Sequence, residues 1–299
     1  MKQRYLIGGN AISISVPDDL KGWKDIESRY APFAADSEAE PVLDVEIRVA
    51  DKLPESETEM IYDTGDSVLG IITGRASVTA DGCLVVVFKH CKQDGPRLWM
   101  KMSPGRDRVE MVILAEEDRN DPLFLTHALM IAFMLATTGN GTLVIHSSTV
   151  LYDGKAYLFQ GKSGTGKSTH ASLWLANIAG IELLNDDNPI IRFADDGTAM
   201  VYGSPWSGKT DCYRNISAPI GGMVRIVRSQ TNELKRLPVL RAYASLASSV
   251  AYLPLLSEAD RDVRHQTIER LVGAVPCCEM HCRPDADAAL TCMTALTKM

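Results

Sequence analysis

Residues 161–169 read GKSGTGKST and match the pattern G-x-x-x-x-G-K-[ST] of a loop that cradles nucleotide phosphates. Glycines in such a loop tolerate positive φ and let backbone N–H groups approach the phosphates. Lys167 would supply positive charge to the β- and γ-phosphates, and the Ser168 hydroxyl would ligate Mg²⁺. The predicted phosphate-binding set comprises Gly161, Ser163, Gly164, Thr165, Gly166, Lys167, Ser168 and Thr169.

The flanking sequence supplies the context that this loop requires. An apolar run at residues 156–160 leads into it and predicts a strand. A helix-like stretch at residues 168–179 follows and stops at Gly180, so the loop would meet the positive end of a helix. A strand, a glycine loop and a helix together favour nucleotide binding over a coincidental or decayed loop.

The length of the chain and its net charge limit the classes of protein to which it can belong. The chain has 299 residues, which suggests two domains, and its 45% hydrophobic and 23% charged residues are typical of a globular protein. A net charge of −7 without any Lys/Arg-rich run argues against a nucleic-acid surface. We therefore expect no nucleic-acid partner.

No feature of the sequence predicts a membrane or secreted protein. The first residues lack the apolar core of a secretory signal. The longest apolar run, residues 123–136, contains His127, is too short to span a bilayer and predicts a buried helix. Seven cysteines, an odd number, suit reduced thiols, so we expect a cytoplasmic protein without membrane contact.

The N-terminal part, residues 1–120, predicts a β-rich domain. Residues 42–49 alternate as a half-buried strand should. Two hairpins follow, one joining residues 68–79 to 83–89 through Asp81-Gly82, the other joining 97–102 to 108–115 through Pro104-Gly105. This domain either packs as a plain sheet or helps to bind a phosphate acceptor.

The second part, residues 121–299, predicts the nucleotide-binding domain. Asp121-Pro122 opens a helix that runs to about residue 138. Strands at residues 142–151 and 155–160 then form a hairpin through Asp153-Gly154, and the second strand delivers the phosphate loop. Because this entry is antiparallel, the pattern indicates a mixed sheet.

A short strand at residues 181–184 ends in Asn185-Asp186-Asp187-Asn188. Two adjacent carboxylates beyond a phosphate loop suit a metal ligand and a base, since a bound Mg²⁺ or a raised pKa on one would relieve their repulsion. The alternative is a turn or a helix cap, in which Asn and Asp are common.

Residues 203–210 form a loop rich in Gly, Pro and Ser that also carries Trp206 and Lys209. In one interpretation Trp206 fills a gap between sheet and loop while Lys209 is solvated. In the other, Lys209 and Arg214 face the transferred phosphate or an anionic substrate. Residue types alone do not decide between them.

Further along, strands are predicted at residues 199–202, 220–227 and 275–282, and helices at 240–251, 259–271 and 284–298. The sequence does not predict a zinc site at Cys277, Cys278, His281 and Cys282. Adjacent strand residues point to opposite faces, and the paired C-x-x-C spacing of a structural zinc site is lacking. We expect His170 to lie inside a helix and to serve as a packing residue.

Four features together resemble the catalytic domain of HPr kinase/phosphorylase: residues 143–146 (LVIH), the turn at Asp153-Gly154, the loop at residues 161–168 and the pair Asp186-Asp187. That family shares its phosphate-loop fold with phosphoenolpyruvate carboxykinases. The patterns at residues 185–187 and 203–209 resemble an HPr-kinase-related bacterial branch more closely. The resemblance spans about residues 122–297.

The resemblance implies an α/β (α+β) chain, with a mixed-sheet carboxykinase-like domain at residues 121–299 and a smaller β-rich domain before it. It implies a kinase that moves the γ-phosphoryl group of ATP to a serine or other hydroxyl. Asp186 would be the general base, and Asp187 and Ser168 would hold Mg²⁺. Lys167 would stabilise the charge that develops on the transferred phosphoryl group. His146 would lie near the γ-phosphate rather than serve as a core histidine.

Some parts of the chain depart from that family. The N-terminal part does not resemble the HPr kinase N-terminal domain, and the signature tied to phosphorylase activity has no clear copy here. The acceptor, which could be a peptide, a small protein or a metabolite, stays open, as does a homo-oligomeric state. The alternatives are a nucleotide-binding sensor or scaffold without chemistry and, disfavoured by length, a carboxykinase-like lyase.

Overall fold

The structure is a computed structural model that describes residues 1–18, 20, 22–36, 39–55, 59–63, 72–90, 95–115, 122–208, 210–251 and 253–299. The chain divides into two compact units. The first comprises Met1–Thr137 and Leu253–Ser257, and the second comprises Thr138–Tyr252 and Glu258–Met299.

The first unit is built on one mixed sheet. Its elements are strands β1 (Lys2–Ile7), β2 (Asn10–Ser15), β3 (Leu43–Ala50), β4 (Glu59–Asp63), β5 (Ile72–Val78), β6 (Leu84–His90), β7 (Pro96–Met102) and β8 (Arg108–Leu114), with helices α1 (Trp23–Tyr30) and α2 (Pro122–Thr137). The strand order is β1-β2-β3-β8-β7-β6-β5-β4. The pairs β2–β3 and β3–β8 are parallel and the other pairs are antiparallel.

Several predictions for this unit are confirmed. The strand predicted at residues 42–49 is β3, and both hairpins form, as β5–β6 and β7–β8. Residues 68–71 of the first hairpin and Asp121 lie outside the described residues. The apolar run at residues 123–136 lies in α2, and Ala128, Ala132 and Phe133 in it are fully buried. Among the helices that the structure describes, none is both long enough and apolar enough to span a bilayer.

The second unit carries the phosphate loop. Its elements are β9 (Leu143–Val144), β10 (Ser147–Tyr152), β11 (Lys155–Gln160), α3 (Lys167–Asn177), β12 (Glu182–Asp187), β13 (Ile190–Phe193), β14 (Ala199–Tyr202), β15 (Ser217–Arg228), β16 (Glu233–Arg236), α4 (Val239–Ala247), α5 (Glu258–Ala274), β17 (Cys277–Cys282) and α6 (Ala286–Leu296).

The sheet of the second unit is mixed, as predicted. Its strand order is β12-β10-β11-β15-β14-β13-β9, and β17 pairs with both β15 and β16. The pairs β11–β15 and β15–β17 are parallel, whereas β10 is antiparallel to both β11 and β12. With its two mixed sheets and its helices, the described chain has the predicted α+β composition.

Helices cover both faces of this sheet, which explains why residues 156–159 of the strand before the loop are all apolar. Ala156 and Leu158 of β11 pack with residues of α4 and α5 in one apolar cluster. Tyr157 and Phe159, which point the other way, pack with residues of α3 and α6 in a second cluster. A strand buried on both faces favours a nearly continuous run of apolar side chains rather than alternation.

Two strand predictions need correction. The single strand predicted at residues 142–151 is wrong. The structure has two strands there, β9 and β10, and the backbone hydrogen-bond partners change between them, at Ile145 and His146. The Ile145 N–H donates to Pro189 O at 3.1 Å, and the His146 N–H donates to Ser249 O at 2.8 Å. The strand predicted at residues 181–184 extends through Asp187, so the turn or helix-cap alternative for the acidic pair is also wrong.

Candidate phosphotransfer site

The glycine loop has the backbone conformation that its composition predicts. Gly161, Gly164 and Gly166 have φ values of 146°, 78° and 109°, a region that other residues rarely adopt. A Cβ atom on Gly161 would lie 2.7 Å from the Thr165 hydroxyl oxygen, which is too close. The Arg228 guanidinium donates to Gly164 O and holds the loop from the end of β15. Helix α3 begins directly afterwards, at Lys167.

Lys167 connects the loop to the histidine upstream. Its ammonium nitrogen lies 2.7 Å from His146 Nε2 and donates to Gly161 O at 3.1 Å. The residue is 9% exposed, and this burial lowers the pKa of Lys167, while the charges of Asp187 and Asp186 oppose that shift. The two carboxylates therefore help to keep a partly desolvated cation charged.

His146 lies between a cation and a carboxylate. Since an ammonium group can only donate, His146 Nε2 is the acceptor from Lys167, and the ring proton belongs on Nδ1. That nitrogen lies 2.8 Å from Asp187 Oδ1 and donates to it. The other oxygen of Asp187 accepts from Asn188 Nδ2 at 2.9 Å. Lys167, His146 and Asp187 thus form one hydrogen-bonded chain with a defined histidine tautomer.

The backbone at Asp187 is strained. Its φ of 147° lies in a region that favours glycine, so a carboxylate there carries a conformational cost. Such strain is typical of functional positions, where the surroundings hold a side chain in a required direction.

Ser168 and Asp186 form the second contact of the site. The Ser168 hydroxyl donates to Asp186 Oδ1 at 2.9 Å, and Asp186 is only 3% exposed. Among the described contacts, Ser168 is joined to Asp186, whereas Asp187, the predicted partner of Ser168 at the metal, is joined to His146. The residue pattern placed both carboxylates near the loop, and the family resemblance assigned Asp187 rather than Asp186 to the metal with Ser168.

The donor set fits Mg²⁺. Ser168 and Asp186 present hard oxygen atoms that converge at the start of α3, and Mg²⁺ prefers such ligands. Within the described ranges, no group of three or more His, Cys, Asp or Glu side chains is placed to hold a metal ion. Ser168 and Asp186 are the residues that would hold such an ion, because their oxygen atoms meet beside the loop, and its remaining ligands would be phosphate oxygens and water.

Strand register explains why residues distant in sequence meet here. Ser147, the first residue of β10, pairs with Asp187 in β12 on one side and with Gln160 in β11 on the other. Gln160 immediately precedes Gly161, so the acidic pair, the histidine and the loop share one edge of the sheet. The interruption between β9 and β10 places His146 at that edge.

Asn185 is a positioning residue that the sequence analysis missed. Its side chain is fully buried and donates to Ser204 O and Trp206 O, each at 3.4 Å, and it accepts from Asn188 N at 3.0 Å. Ser204 in turn donates to Asn188 O at 2.7 Å. Asn185 thereby holds the loop at residues 203–208 against the end of β12. Its polarity next to a buried strand was the available signal.

The same loop contacts the acidic pair directly. The Gly208 N–H donates to Asp186 O at 2.5 Å, and the Ser207 hydroxyl donates to the same oxygen at 3.1 Å. A Cβ atom on Gly208 would lie 3.1 Å from both Asp186 O and Asp187 Cβ. Glycine at this position lets the loop approach the strand closely.

The other residues predicted for this region are Trp206, Lys209 and Arg214. Trp206 is 3% exposed, in agreement with the interpretation that it fills a gap. Arg214 does not join the Lys167–His146–Asp187 chain, since its guanidinium donates to Leu183 O at 2.6 Å and to Glu182 Oε2 at 2.7 Å. Lys209 lies outside the described residues, so its role stays a prediction.

Two packing predictions hold. His170 is 2% exposed and lies between the rings of Phe159 and Trp174. Cys277 and Cys278 belong to the two different apolar clusters of the sheet and so point to opposite faces. Burial raises the pKa of the Cys277 thiol to about 12, as expected for a structural rather than a reactive cysteine.

Comparison with known proteins adds little to this geometry. No family model matches the chain. No curated protein matches it in sequence. Among solved structures, the HPr(Ser) kinase/phosphatase from Coxiella burnetii is similar over 52% of this chain and 93% of its own, with 9% identity and a TM-score of 0.29. A likeness this weak carries no functional argument, and the proposals below depend on the site itself.

Proposed function

We propose that the protein is an ATP-dependent kinase that transfers the γ-phosphoryl group to a hydroxyl of a peptide, small protein or metabolite. The observation that carries the proposal is the convergence of two contacts at one sheet edge. These are the chain Lys167–His146–Asp187 and the pair Ser168–Asp186, both beside a glycine loop. Phosphate binding alone would not need the contact between His146 and Asp187.

The donor side uses the loop and the metal. Backbone N–H groups of the loop, the start of α3 and Lys167 bind phosphate oxygens and oppose the charge that develops during transfer. A bound Mg²⁺ neutralises charge on the β- and γ-phosphates. Ser168 and Asp186 are the residues that would hold this ion, because the hydroxyl already contacts the carboxylate.

The acceptor side uses His146 and Asp187. Once Lys167 turns to the phosphates, His146 Nε2 has a free lone pair with which to accept the proton of the attacking hydroxyl. Asp187 Oδ1 accepts from His146 Nδ1 at 2.8 Å and stabilises the imidazolium that forms, as a carboxylate does in other histidine bases. The hydroxyl oxygen forms a bond to the γ-phosphorus, the bond to the β-phosphate oxygen breaks, and ADP leaves.

This division of roles differs from the one that the family resemblance implies. There Asp186 is the base and Asp187 holds Mg²⁺ with Ser168. The contacts favour Asp186 at the ion and Asp187 as the carboxylate that supports His146, since Ser168 contacts Asp186 while Asp187 contacts His146. Separate substitution of the two carboxylates distinguishes these assignments.

The test is a transfer screen with ATP labelled at the γ-phosphate, offered to peptide and metabolite pools with Mg²⁺. The proposal predicts a labelled product with wild type and almost none with His146→Gln or Asp187→Asn, although both variants still bind ATP. Tight ATP binding without any labelled product would favour a nucleotide sensor and contradict the kinase. Oxaloacetate formation from phosphoenolpyruvate in a coupled assay would instead favour a lyase.

A further inference from the structure

A row of polar side chains crosses the sheet of the second unit beside the phosphate loop. Its members pair in register from strand to strand, in the order Ser147 (β10), Gln160 (β11), Arg225 (β15) and Glu279 (β17). We call these four residues the polar row. Ser147 directly follows His146 and pairs with Asp187 in β12, so the row starts at the residues that we place on the acceptor side.

The polar row points to the face of the sheet that α4 and α5 cover. Leu158, Met223 and Cys277 belong to the apolar cluster on that face, and each lies two residues before a member of the row. Side chains two residues apart on a strand share a face. Because residues paired across strands also share a face, Asp187 and Ser147 point the same way. The row and the acceptor side of the proposed site therefore lie on one surface.

Helix α4 follows the polar row from one end to the other. Near the start of the helix, Arg241 Nη2 lies 3.4 Å from Glu279 Oε2 on β17. Just after its end, Ser249 O accepts from the His146 N–H, beside β10. The helical rise from Arg241 to Ser249 is about 12 Å, and the three strand spacings from β17 to β10 amount to about 14 Å. An acceptor lying along α4 would have the base at one end and two arginines at the other.

Gln160, in the middle of the row, carries a buried donor without a partner. The residue is 2% exposed, and its Nε2 has no hydrogen-bond partner among the residues that the structure describes. Gln160 lies between Ser147 and Arg225 and immediately precedes Gly161 of the phosphate loop. Buried polar groups without partners are uncommon and call for an explanation such as a ligand.

Arg225, the next residue of the row, has donors to spare. Its Nε lies 3.9 Å from Glu279 Oε2, which is beyond hydrogen-bond distance, and its side chain is 33% exposed. Within the described part of the chain its guanidinium donates no hydrogen bond. Glu279 accepts instead from His281 Nε2 at 2.8 Å and from Arg241 Nη2. The planar fork of donors on Arg225 is therefore open to a ligand.

The charges at this end of the row favour an anionic ligand. Arg225 and Arg241 bring two positive charges to the single carboxylate of Glu279. Lys235, which pairs with Glu279 from β16, is balanced by Glu233 at 2.9 Å. A carboxylate would offset the remaining positive charge, and its two oxygens match the donor fork of an arginine.

We propose that the polar row binds a carboxylate of the phosphate acceptor, so that the acceptor is an acidic hydroxyl compound. The inference rests on the proposed function, because it assumes that His146 activates the acceptor hydroxyl. Arg225 pairs with the carboxylate, Arg241 adds positive charge beside it, and Gln160 donates to the part of the acceptor between carboxylate and hydroxyl.

The strand spacing limits how far the carboxylate lies from the hydroxyl. Neighbouring strands are about 4.8 Å apart, so the backbone of Arg225 is about 10 Å along the row from Ser147. An extended chain advances about 3.3–3.6 Å per residue, which places an acidic side chain within about three residues of the serine in a peptide acceptor. Because the Arg225 side chain can reach back along the row, a small hydroxy acid supplies the same chemistry.

Transfer of the γ-phosphate label of ATP to matched acceptors tests the inference. One arm compares a library of serine peptides containing Asp and Glu with a twin library in which these are Asn and Gln. The other arm compares small hydroxy acids such as glycerate with their amides. Arg225→Gln removes the positive charge, and Gln160→Met removes the donor at similar volume. Arg236→Gln is the matched control, since Arg236 is exposed and pairs with Cys278, which points to the opposite face.

In at least one arm, wild type should use the acidic acceptors with a kcat/KM roughly tenfold or more above that of the amides, as expected for charge-assisted hydrogen bonds. Arg225→Gln should remove most of this preference by raising KM for the acidic acceptors, with kcat and ATP affinity unchanged. Gln160→Met should raise KM for both kinds of acceptor, and Arg236→Gln should change neither value.

Three results would overturn the inference and leave the proposed kinase intact. They are equal use of acidic and amide acceptors by wild type, equal losses in Arg225→Gln and Arg236→Gln, and weaker ATP binding in Arg225→Gln by calorimetry, which would assign Arg225 to the nucleotide phosphates. The absence of a labelled product from every acceptor with wild type would overturn the proposed function itself.

Discussion

The ammonium nitrogen of Lys167 lies 2.7 Å from Nε2 of His146. This contact fixes the histidine as a neutral ring whose other nitrogen donates to Asp187. It also joins the residue that binds phosphate to the residue that we propose as the base. Movement of Lys167 to the phosphates would free the histidine, so donor binding and readiness of the base would be coupled.

Lys167→Ala should weaken ATP binding by at least about tenfold, because charge-assisted hydrogen bonds to phosphate are among the stronger ones. Calorimetry with Mg²⁺ measures the change. Lys162→Ala, an exposed lysine in the same loop, is the control and should retain most of the affinity. Similar losses in both variants would mean that general positive charge, and not the placement of Lys167, determines binding.

The two carboxylates should respond differently to substitution. Asp186→Asn should raise the Mg²⁺ concentration that half-saturates ATP binding, as should Ser168→Ala, since we place both groups at the ion. Asp187→Asn should leave that concentration unchanged and lower the rate of transfer by about 100-fold or more, because the base His146 would lose the carboxylate that orients it. Titration of Mg²⁺ at fixed ATP separates these outcomes. A shifted Mg²⁺ requirement in Asp187→Asn alone would restore the roles that the family resemblance implies.

Gly208→Ala should impair transfer, because its Cβ atom would lie 3.1 Å from both Asp186 O and Asp187 Cβ. We expect a lower free energy of unfolding, by roughly 1–3 kcal/mol, as for other overpacked sites. Gly273→Ala in α5, where nothing lies within 4 Å of the added atom, should instead stabilise the protein by up to about 1 kcal/mol. Urea unfolding of both variants measures the contrast. An equally stable Gly208→Ala with full activity would show that close approach of this loop is unnecessary.

His170 should make the protein less stable in mild acid. Burial lowers the pKa of His170 from 6.5 to about 4. Between these values the unfolded chain binds more protons than the folded chain, so the free energy of unfolding falls as pH drops from about 6.5 to 4. The full shift corresponds to a loss of roughly 3–3.5 kcal/mol.

Urea unfolding of wild type and His170→Gln across this pH range measures the effect. Glutamine can still accept from Trp174, and the variant should lose less stability in acid than wild type. His265→Gln, whose side chain is 54% exposed, is the control and should behave like wild type. Parallel pH dependences of wild type and His170→Gln would show that other groups cause the acid sensitivity.

Local sequence patterns predicted most of the elements around the site. The hairpin into the loop, the loop glycines and the start of α3 follow from alternation, turn residues and the helix pattern, which operate over a few residues. The β11 run was apolar because both faces of the sheet are covered. These features need no knowledge of distant partners.

The contacts between distant segments could not be predicted in the same way. The interruption between β9 and β10 arises because the Ile145 and His146 N–H groups donate to Pro189 O and Ser249 O, more than 40 and 100 residues downstream. Whether the Ser168 hydroxyl contacts Asp186 or Asp187 depends on the strand register and on the strained backbone of Asp187. Residue types alone showed two carboxylates but not the direction of either.

The fate of the γ-phosphate of ATP bound to excess protein, with the acceptor pools present, tests the central claim most directly. With Mg²⁺, the label should move from ATP to a product within one turnover, and His146→Gln should slow this step by about 100-fold without loss of ATP binding. Recovery of intact labelled ATP from the wild-type protein would contradict the claim that Lys167, His146 and Asp187 serve phosphoryl transfer.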